Sequence, residues 1–282
     1  MLPSIVERTN ERTNELANNN TAKHNTTRPS SRSTATTGQH SSTPTPSQPN
    51  NSKPKMHLVI LGASGRTGQL TTTTALAKNY TVTALVRNPA SLPPTPGLTI
   101  SQGTPLNPSD IEAAFTSSPH PVDACIVTLS APRETDSPFS KPVAPPMLMR
   151  DSVRTSLAVM KQHGVRRLVV MSAFGVGDSF ASLAWPLRQL FRRSNMSYGF
   201  EDHDALDLEV RKESAEGGWG LEWTLVRPVM LKEGPVKAVR KLGERGEKAG
   251  MFDSVTRESV ASFLVEVIEG GRLKGEAVVV AN

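Results

Sequence analysis

The segment HLVILGASGRTG, residues 57–68, restricts the fold of this 282-residue chain more than any other stretch. An apolar run ends at Gly62 and is followed by Gly65 and Gly68, in the pattern GxxGxxG. The first glycine allows a tight turn out of a strand, the second lets backbone N–H groups approach a pyrophosphate, and the third lets a helix pack closely on the sheet. Because helix N-termini attract phosphates, the segment predicts a dinucleotide-binding turn. The alternative is a glycine-rich turn without a ligand.

Short apolar runs alternate with helix-like segments after residue 53. Runs such as LVVMSA and CIVTLS are continuously apolar, which is typical of strands covered on both faces of a parallel sheet. Because crossovers between parallel strands are right-handed, few topologies fit. We predict an α/β protein with a Rossmann-type doubly wound parallel sheet of about seven strands and a small C-terminal substrate region. The predicted strands are 56–61, 80–86, 98–101, 122–129, 166–171, 222–227 and 276–280, and the predicted helices are 66–78, 108–116, 147–162, 203–215 and 256–269.

The last predicted helix has the clearest end signals. Ser254 and Thr256 are candidate capping residues before its first turn, and Gly270 follows as a stop. The intervening sequence predicts an apolar stripe directed at the core. Its members are Val260, Phe263, Leu264 and Val267.

The composition of the chain changes near residue 53. The preceding residues are rich in Asn, Thr, Ser and Pro and contain few groups that could form a core. Such a segment cannot offset its ordering entropy, so we expect it to be disordered. We therefore divide the chain into a disordered low-complexity tail, residues 1–54, and an NAD(P)-binding Rossmann domain, residues 55–282.

The formal charge of +6 is unevenly distributed. Residues up to Lys55 include seven basic and three acidic side chains, which leaves 25 basic and 23 acidic in the rest. A nearly neutral domain is not expected to bind nucleic acid. For the basic tail, we favour a solvating role over weak contact with anionic surfaces.

The single cysteine, Cys125, lies in an apolar run and excludes both an intrachain disulfide and a Cys-based zinc site. We predict no metal site. No stretch approaches the roughly 20 apolar residues of a membrane span. The N-terminus lacks the apolar core of a signal peptide, and Glu7, Glu11 and Glu15 argue against a mitochondrial presequence. We therefore predict a cytoplasmic protein without membrane contact.

The end of the second predicted strand distinguishes NADP from NAD. Enzymes that use NAD place an acidic residue there to bind the ribose hydroxyls, about 20 residues after the glycines. This chain has Arg87, 19 residues after Gly68, and Arg66 within the glycine turn approaches the same face. Two guanidinium groups suit a 2′-phosphate, so we predict NADP(H) as the cofactor. The alternative is two solvent-facing arginines.

Five stretches occur in the order found in one known family: HLVILGASGRTGQL, ALVRNP, RLVVMSAFGVGDS, LEWTLVRP and SVTRESVASFLVEVIE. Residues 56–282 resemble the NAD(P)H-binding atypical short-chain dehydrogenases, of the NmrA-like group that includes reductases of the biliverdin and flavin type. The resemblance implies a Rossmann domain with a small C-terminal substrate region.

The resemblance also implies site residues. The stretch EDHDALDLEVRKES, with its Asp-His pair, places His203 near the substrate side. Gly103-Thr104 stands where the family often has Gly-Asp, which puts the adenine contact in question. The cofactor residues implied are Gly62, Ala63, Ser64, Gly65, Arg66, Thr67 and Gly68 at the pyrophosphate, Arg87 and Asn88 at the ribose phosphate, Leu129 and Ser130 beside the cofactor, and Ser172 and Ala173 near the nicotinamide.

The usual acid–base pair of short-chain dehydrogenases, Tyr-x-x-x-Lys, is absent. Tyr80 is followed four residues later by Ala84, and Tyr198 by Asp202. Hydride transfer is mostly cofactor chemistry, so a reductase does not require that pair.

Ser172 and His203 are the predicted catalytic residues of such a reductase. Ser172 would hydrogen-bond the carboxamide or substrate, and His203 would relay a proton with a pKa near neutrality. The alternatives are a strand-end serine bonded to its own loop and a surface histidine at a helix N-terminus. The segment WPLRQLFRR is either a lid helix with Trp185, Leu187 and Leu190 facing inward or a packed surface helix, which we favour.

Three functions remain open. The first is an NADPH-dependent oxidoreductase that transfers hydride to a small conjugated or aromatic acceptor, such as a quinone or flavin. The second is a non-catalytic NADP(H)-sensing regulator of the NmrA kind, which binds a protein partner. The third, an isomerase or epimerase, is disfavoured by the missing Tyr-Lys pair.

Overall fold

The computed structural model describes residues 56–135 and 137–282, so the predicted disordered tail lies outside the described residues. The described part contains an eight-stranded sheet whose neighbours are parallel except at one edge. Its strands are β1 His57–Leu61, β2 Thr81–Val86, β3 Leu98–Gln102, β4 Ala124–Val127, β5 Arg167–Met171, β6 Glu222–Pro228, β8 Arg240–Lys241 and β10 Glu276–Ala281. Two short parallel strands, β7 Met230–Lys232 and β9 Ser254–Thr256, pair separately.

The strand order is β3-β2-β1-β4-β5-β6-β10-β8, so the chain reverses direction across the sheet between β1 and β4. In open α/β sheets, ligands bind outside the carboxyl ends of the strands at this kind of reversal. The helices are α1 Arg66–Ala77, α2 Pro108–Thr116, α3 Leu148–Gln162, α4 Trp185–Arg193, α5 Met196–Glu216 and α6 Arg257–Glu269.

The continuously apolar strands serve two cores, one on each face of the sheet. Leu58 and Ile60 of β1 contribute to the core under α1 and α6. Val59 and Leu61 point the opposite way, into the core under α2, α3 and α5. Because successive strand residues alternate between faces, burying both faces requires an apolar residue at every position. The predicted Rossmann-type doubly wound fold is confirmed.

The structure differs from the prediction in its additional strands and in the start of one helix. The seven predicted strands are present, β8 adds a two-residue antiparallel strand at the sheet edge, and β7 and β9 form a separate pair that was not predicted. Helix α5 begins at Met196 rather than at residue 203. Its first turn contains Gly199 and two aromatic residues, which have weak helix propensity, and Phe200 stacks on Phe191 of α4 at a centroid distance of 4.5 Å. Tertiary packing therefore extends this helix.

The last helix follows its sequence signals. Thr256 caps α6, with its hydroxyl accepting a hydrogen bond from the N–H of Ser259 at 3.2 Å, whereas Ser254 lies in β9. The predicted stripe of α6 is buried at all four positions. None of the helices in the described residues is long and apolar enough to cross a bilayer.

Candidate active site

The glycine turn between β1 and α1 requires glycine at two of its three positions. Gly62 has φ of 83°, and a Cβ there would lie 2.8 Å from the backbone N of Leu129. A Cβ on Gly68 would collide with the carbonyl group of Gly62 and would lie 2.8 Å from Oγ1 of Thr128. The backbone of the turn and the first turn of α1 are therefore in direct contact, as a close phosphate-binding turn requires.

Thr128 anchors this turn and was not among the residues that the sequence indicated. Its N–H and its hydroxyl both donate to the carbonyl of Leu61, at 2.8 and 3.1 Å. The residue follows β4 directly and is buried. It holds the end of β4 against the end of β1, so the predicted cofactor residues Leu129 and Ser130 leave the sheet beside the glycine turn.

The N-terminus of α1 is suited to an anion. Gly65 has extended backbone at the N-cap, no side chain caps the helix, and its first turn contains no acidic residue. Ser64, Gly65 and Arg66 are exposed, while Ala63 and Thr67 are buried. Backbone N–H groups and the positive end of the helix dipole therefore face solvent. Together with the close glycine contacts, this arrangement fits the pyrophosphate of a dinucleotide.

The ribose end of the site lies where β2 ends, next to β1. Arg87 is exposed there. The side-chain oxygen of Asn88 accepts a hydrogen bond from the N–H of Ala90 at 3.1 Å and so begins a short 3₁₀ helix. Asn88 thus has a local structural role, and Arg87 presents the charge.

The end of β3 has an acidic group that the sequence pattern concealed. The carboxylate of Asp110 accepts a hydrogen bond from the N–H of Thr104 at 2.8 Å. A Cβ on Gly103 would lie 2.5 Å from the Cβ of Asp110. The acid that the family often places after this glycine is absent from position 104, but helix α2 brings a carboxylate to the same turn.

The two predicted catalytic residues meet at the end of β5. Ser172 is buried, its N–H donates to the carbonyl of Val226 at 2.7 Å, and its Oγ lies 3.4 Å from Nδ1 of His203. Ala173, the next residue, is half-buried. Strand β5 is two strands from β1, on the same side of the reversal as β4.

The expected near-neutral pKa of His203 is wrong. Packing around the ring lowers the pKa to about 4, because burial disfavours the imidazolium form, and the carboxylate of Asp202 opposes this only in part. The ring is therefore neutral at pH 7. A neutral imidazole accepts a hydrogen bond at one nitrogen and donates at the other.

The adjacent Asp202 has a separate role. Its two carboxylate oxygens accept hydrogen bonds from the N–H groups of Met149 and Arg150, both at 2.9 Å. These are the first turn of α3, where the N-cap residue Met147 provides no side-chain bond. Asp202 thus caps a neighbouring helix, which fixes α5 and with it the position of His203.

A buried ionic network lies beside the site. Arg227 of β6 has no exposed side-chain surface and donates to Asp178 at 2.6 Å, to Asp207, and to the carbonyl of Glu244 at 2.9 Å. Asp207 also pairs with Arg211 at 2.5 Å. A charged residue inside the apolar run of LEWTLVRP was the sequence signal for such a network.

The inward orientation considered for the segment 185–193 is wrong for its first residue. Trp185 is 70% exposed, and Leu187 and Leu190 are half-buried. Helix α4 is held by Arg188, which donates to the carbonyls of Leu183 and Ala181 at 2.6 and 2.7 Å. It is a packed surface helix.

A glycine turn between a central parallel strand and an uncapped helix N-terminus, at a reversal of strand order, defines a Rossmann-type dinucleotide-binding protein. A family model described as NAD(P)H-binding matches residues 62–270. The chain belongs to this NAD(P)H-binding family, and the resemblance to the atypical short-chain dehydrogenases is confirmed.

Solved structures share the fold at low sequence identity. The anaerobilin reductase ChuY from Escherichia coli O157:H7 is 18% identical, with a TM-score of 0.61 over 80% of this chain and 96% of its own. A wide-type short-chain dehydrogenase/reductase from Veillonella parvula, in complex with NADP, is 17% identical, with a TM-score of 0.60 over 80% and 94%. A putative NAD-dependent epimerase/dehydratase from Bacillus halodurans is 18% identical, with a TM-score of 0.60 over 80% and 94%.

Proposed function

We propose that this protein is an NADP(H)-dependent reductase that transfers hydride to a small conjugated or aromatic acceptor, such as a quinone or flavin. The observation that carries the proposal is the distance of 3.4 Å between the Ser172 hydroxyl and Nδ1 of His203. The two groups meet at the carboxyl end of β5, the same end of the parallel sheet at which the glycine turn follows β1. A buried hydroxyl beside a neutral imidazole forms a polar pair at the carboxyl end of a buried strand.

The preference for NADP(H) rests on charge at the ribose end. Arg87 is exposed directly after β2, and Arg66 is exposed at the start of α1. Guanidinium groups pair with phosphate in a bidentate manner, and no acidic residue stands at this strand end to accept ribose hydroxyls. The 2′-phosphate of NADP(H) is therefore the better match.

Ser172 and His203 have different tasks in this proposal. The nicotinamide, when bound, supplies the hydride. Ser172 Oγ hydrogen-bonds the carboxamide or the acceptor, and His203 Nδ1 is the second hydrogen-bond partner of that hydroxyl. Because the pKa of His203 is about 4, the ring is neutral at pH 7, and the proton that the reduced acceptor takes up passes from water through the imidazole and the Ser172 hydroxyl, each of which gives one proton and gains one.

Two of the structural neighbours support the proposal. One is named a reductase of anaerobilin, and another was solved with NADP. We expect the protein to bind a small-molecule substrate and not nucleic acid or a membrane. We expect it to act in the cytoplasm.

The second candidate, a non-catalytic NADP(H)-sensing regulator with a protein partner, is favoured by the positions of both tyrosines. Tyr80 precedes β2, at the opposite edge of the sheet from the glycine turn, and its hydroxyl donates to Glu269 at 2.6 Å. Tyr198 is exposed. Neither tyrosine has a lysine four residues later, so the acid–base pair of related enzymes is missing from both.

Nucleotide titration and turnover separate these functions. We expect NADPH to bind more tightly than NADH, and Arg87→Ala to lose about 1–3 kcal/mol toward NADPH with little change toward NADH. Lys212→Ala, an exposed charge on α5, is the matched control. We expect 1,4-naphthoquinone or flavin mononucleotide to be reduced, and Ser172→Ala and His203→Ala to lower turnover with NADPH affinity nearly unchanged. Binding without reduction of any acceptor would favour the regulator, and no binding of either nucleotide would reject both.

A further inference from the structure

A groove of about 520 Å³, which no residue of the glycine turn lines, lies between α6 and the segment that leads into β8. Its α6 wall is formed by residues at helical spacing, which places them on one stripe: Ser259, Ser262, Phe263, Glu266 and Val267. The β8 side of the groove pairs with β10, which is four strands from β1, or about 19 Å across the sheet, whereas α6 packs on α1 and β5. The volume lies within the range of about 300–1,000 Å³ of small-molecule sites.

The groove is lined by cations that are not paired with carboxylates. Lys237, Lys241 and Arg272 line it, and within the described residues their side chains form no ion pair. Nearby surface cations behave differently, since Arg257 pairs with Glu233 at 2.7 Å and Lys274 with Glu222 at 2.7 Å. Glu233 and Glu222 therefore pair with cations that do not line the groove, whereas the three cations that line it have no ion-pair partner among the described residues.

A buried cation adds to this charge. Arg167, at the start of β5, is 7% exposed, and its guanidinium donates to the carbonyls of Val267 and Arg272 at 3.2 and 3.1 Å. Both of these residues line the groove. Within the described residues Arg167 hydrogen-bonds only carbonyls, and its Nε has no partner. Its charge is thus held behind the groove wall, where no carboxylate forms an ion pair with it and Glu222 acts on it from a greater distance.

Two of the three cations that line the groove lie at one end. The backbone N–H of Lys237 donates to Ser259 Oγ at 2.9 Å, and Lys241 pairs with Val280, two residues before the end of the chain. The side chain of Asn282 in turn accepts from the N–H of Thr256, the N-cap of α6. Both lysines therefore lie beside the first turns of α6.

The other part of the groove is apolar and contains one acid. Glu266 is seven residues after Ser259, about 10 Å further along the helix. It is exposed, while Phe263 and Val267 are buried and form the floor. One end thus offers two cations, and the remainder offers apolar surface together with the carboxylate of Glu266 and the single lining cation Arg272.

We infer that this groove binds an amphipathic anion, an acyl-chain carboxylate whose head group pairs with Lys237 and Lys241 and whose chain lies over Phe263 and Val267. The apolar floor supplies affinity by burying the chain, and the unpaired cations select the charge of the head group.

Calorimetric titration of the whole chain with decanoate tests this inference. Acetate has the head group without the chain, and decyltrimethylammonium has the same chain with the opposite charge. We expect decanoate to bind at least tenfold more tightly than either and its affinity to fall with added salt. Equal binding of decyltrimethylammonium would overturn the inference, and so would binding of acetate as tight as that of decanoate.

Charge variants test the assignment of the head group. We expect the double change Lys237→Glu and Lys241→Glu to weaken decanoate binding about tenfold or more, since each exposed pair contributes a factor of about two to five. Glu266→Gln should strengthen binding about twofold, because it removes a like charge. Lys212→Glu, on α5 at the opposite face of the sheet, is the matched control and should change it less than twofold. An unchanged affinity in the double variant overturns the inference.

A groove-filling variant tests the same site without altering charge. Ser262 is half-buried on the lining stripe, so Ser262→Trp places an indole where the chain would lie. We expect decanoate binding to be lost while nucleotide binding at the glycine turn is kept, which also shows that the variant folds. Retained decanoate affinity in this folded variant would refute the site.

Discussion

Arg227 of β6 and Asp207 of α5 form an ion pair whose two side chains are 0% and 6% exposed. Asp178, in the 3₁₀ helix after β5, pairs with the same guanidinium at 2.6 Å. The pair therefore joins three elements around the strand ends where Ser172 and His203 meet. Asp207 lies one turn of α5 after His203, so the network fixes the segment of helix that carries the imidazole.

Removal of the cation should destabilise the fold strongly. Arg227→Met removes the buried cation that pairs with Asp207 and Asp178 and leaves the buried Asp207 with only the partly exposed Arg211, so we expect a loss of about 3–5 kcal/mol in the free energy of unfolding. Denaturant unfolding measures the loss. Arg245→Met is the matched control, because Arg245 is 66% exposed and lies 3.9 Å from Asp178, and it should cost less than about 1 kcal/mol. Equal losses in the two variants would contradict a central role for Arg227.

The contribution of the Asp202 cap on α3 to the free energy of unfolding can be measured without an activity assay. Asp202→Ala removes the acceptor of two N–H groups, so we expect a loss of about 1–2 kcal/mol in unfolding free energy. Asp202→Asn keeps one acceptor oxygen and should recover part of the loss. Glu201→Ala changes the exposed neighbouring residue and should have little effect. Thermal unfolding compares the three, and an Asn variant no better than Ala would argue against capping.

The fold was predictable because its main signals are local. The glycine turn, the continuously apolar strands and the cap at Thr256 each follow from a few neighbouring residues, and each is present. The edge strand β8 was not predictable, since two exposed basic residues pair with β10 only through backbone bonds. The early start of α5 depends on contact between Phe200 and Phe191, which no local propensity encodes.

The sequence predicted which strand and helix carry the candidate site residues. It did not predict the properties that depend on how those elements pack together. The sequence placed Ser172 and His203 correctly at a strand end and a helix, but their proximity depends on Asp202 binding α3 across the fold. The prediction of a near-neutral pKa for His203 was wrong for a similar reason, because the burial that lowers this pKa depends on tertiary packing. Thr128 gave no signal, as threonine is common after a strand.

Gly68→Ala should impair binding of both nucleotides, unlike a change at Arg87. A Cβ at this position collides with the carbonyl group of Gly62 and approaches Thr128 Oγ1, so the turn must open and the phosphate-binding geometry is lost. We expect NADPH and NADH affinity to fall at least tenfold, measured by titration. Gly199→Ala is the control, because a Cβ there meets no atom within 4 Å. A loss confined to NADPH would contradict a pyrophosphate role for this turn.

Two histidines with lowered pKa values, the buried His57 and the half-buried His203, should make the fold sensitive to mild acid. Burial lowers the pKa of His203 to about 4 and lowers that of His57, whose ring nitrogens bond Thr81 and Thr83 at 2.8 and 3.1 Å. Below the ordinary value of 6.5 the unfolded chain binds protons that the folded chain does not, so unfolding becomes easier. Stability is thus complete above pH 6.5 and falls as the pH is lowered toward 4.

The free energy of unfolding between pH 7 and pH 5 tests this, since this range lies above the ordinary carboxyl values of about 4. We expect it to fall with pH in the natural sequence and to fall less in His203→Gln, which cannot take up the proton. Asp204 acts in the opposite direction, because burial raises its pKa and protonation then favours the folded state, so Asp204→Asn should steepen the fall. A pH dependence unchanged by His203→Gln would show that this imidazole is not protected from protonation in the folded chain.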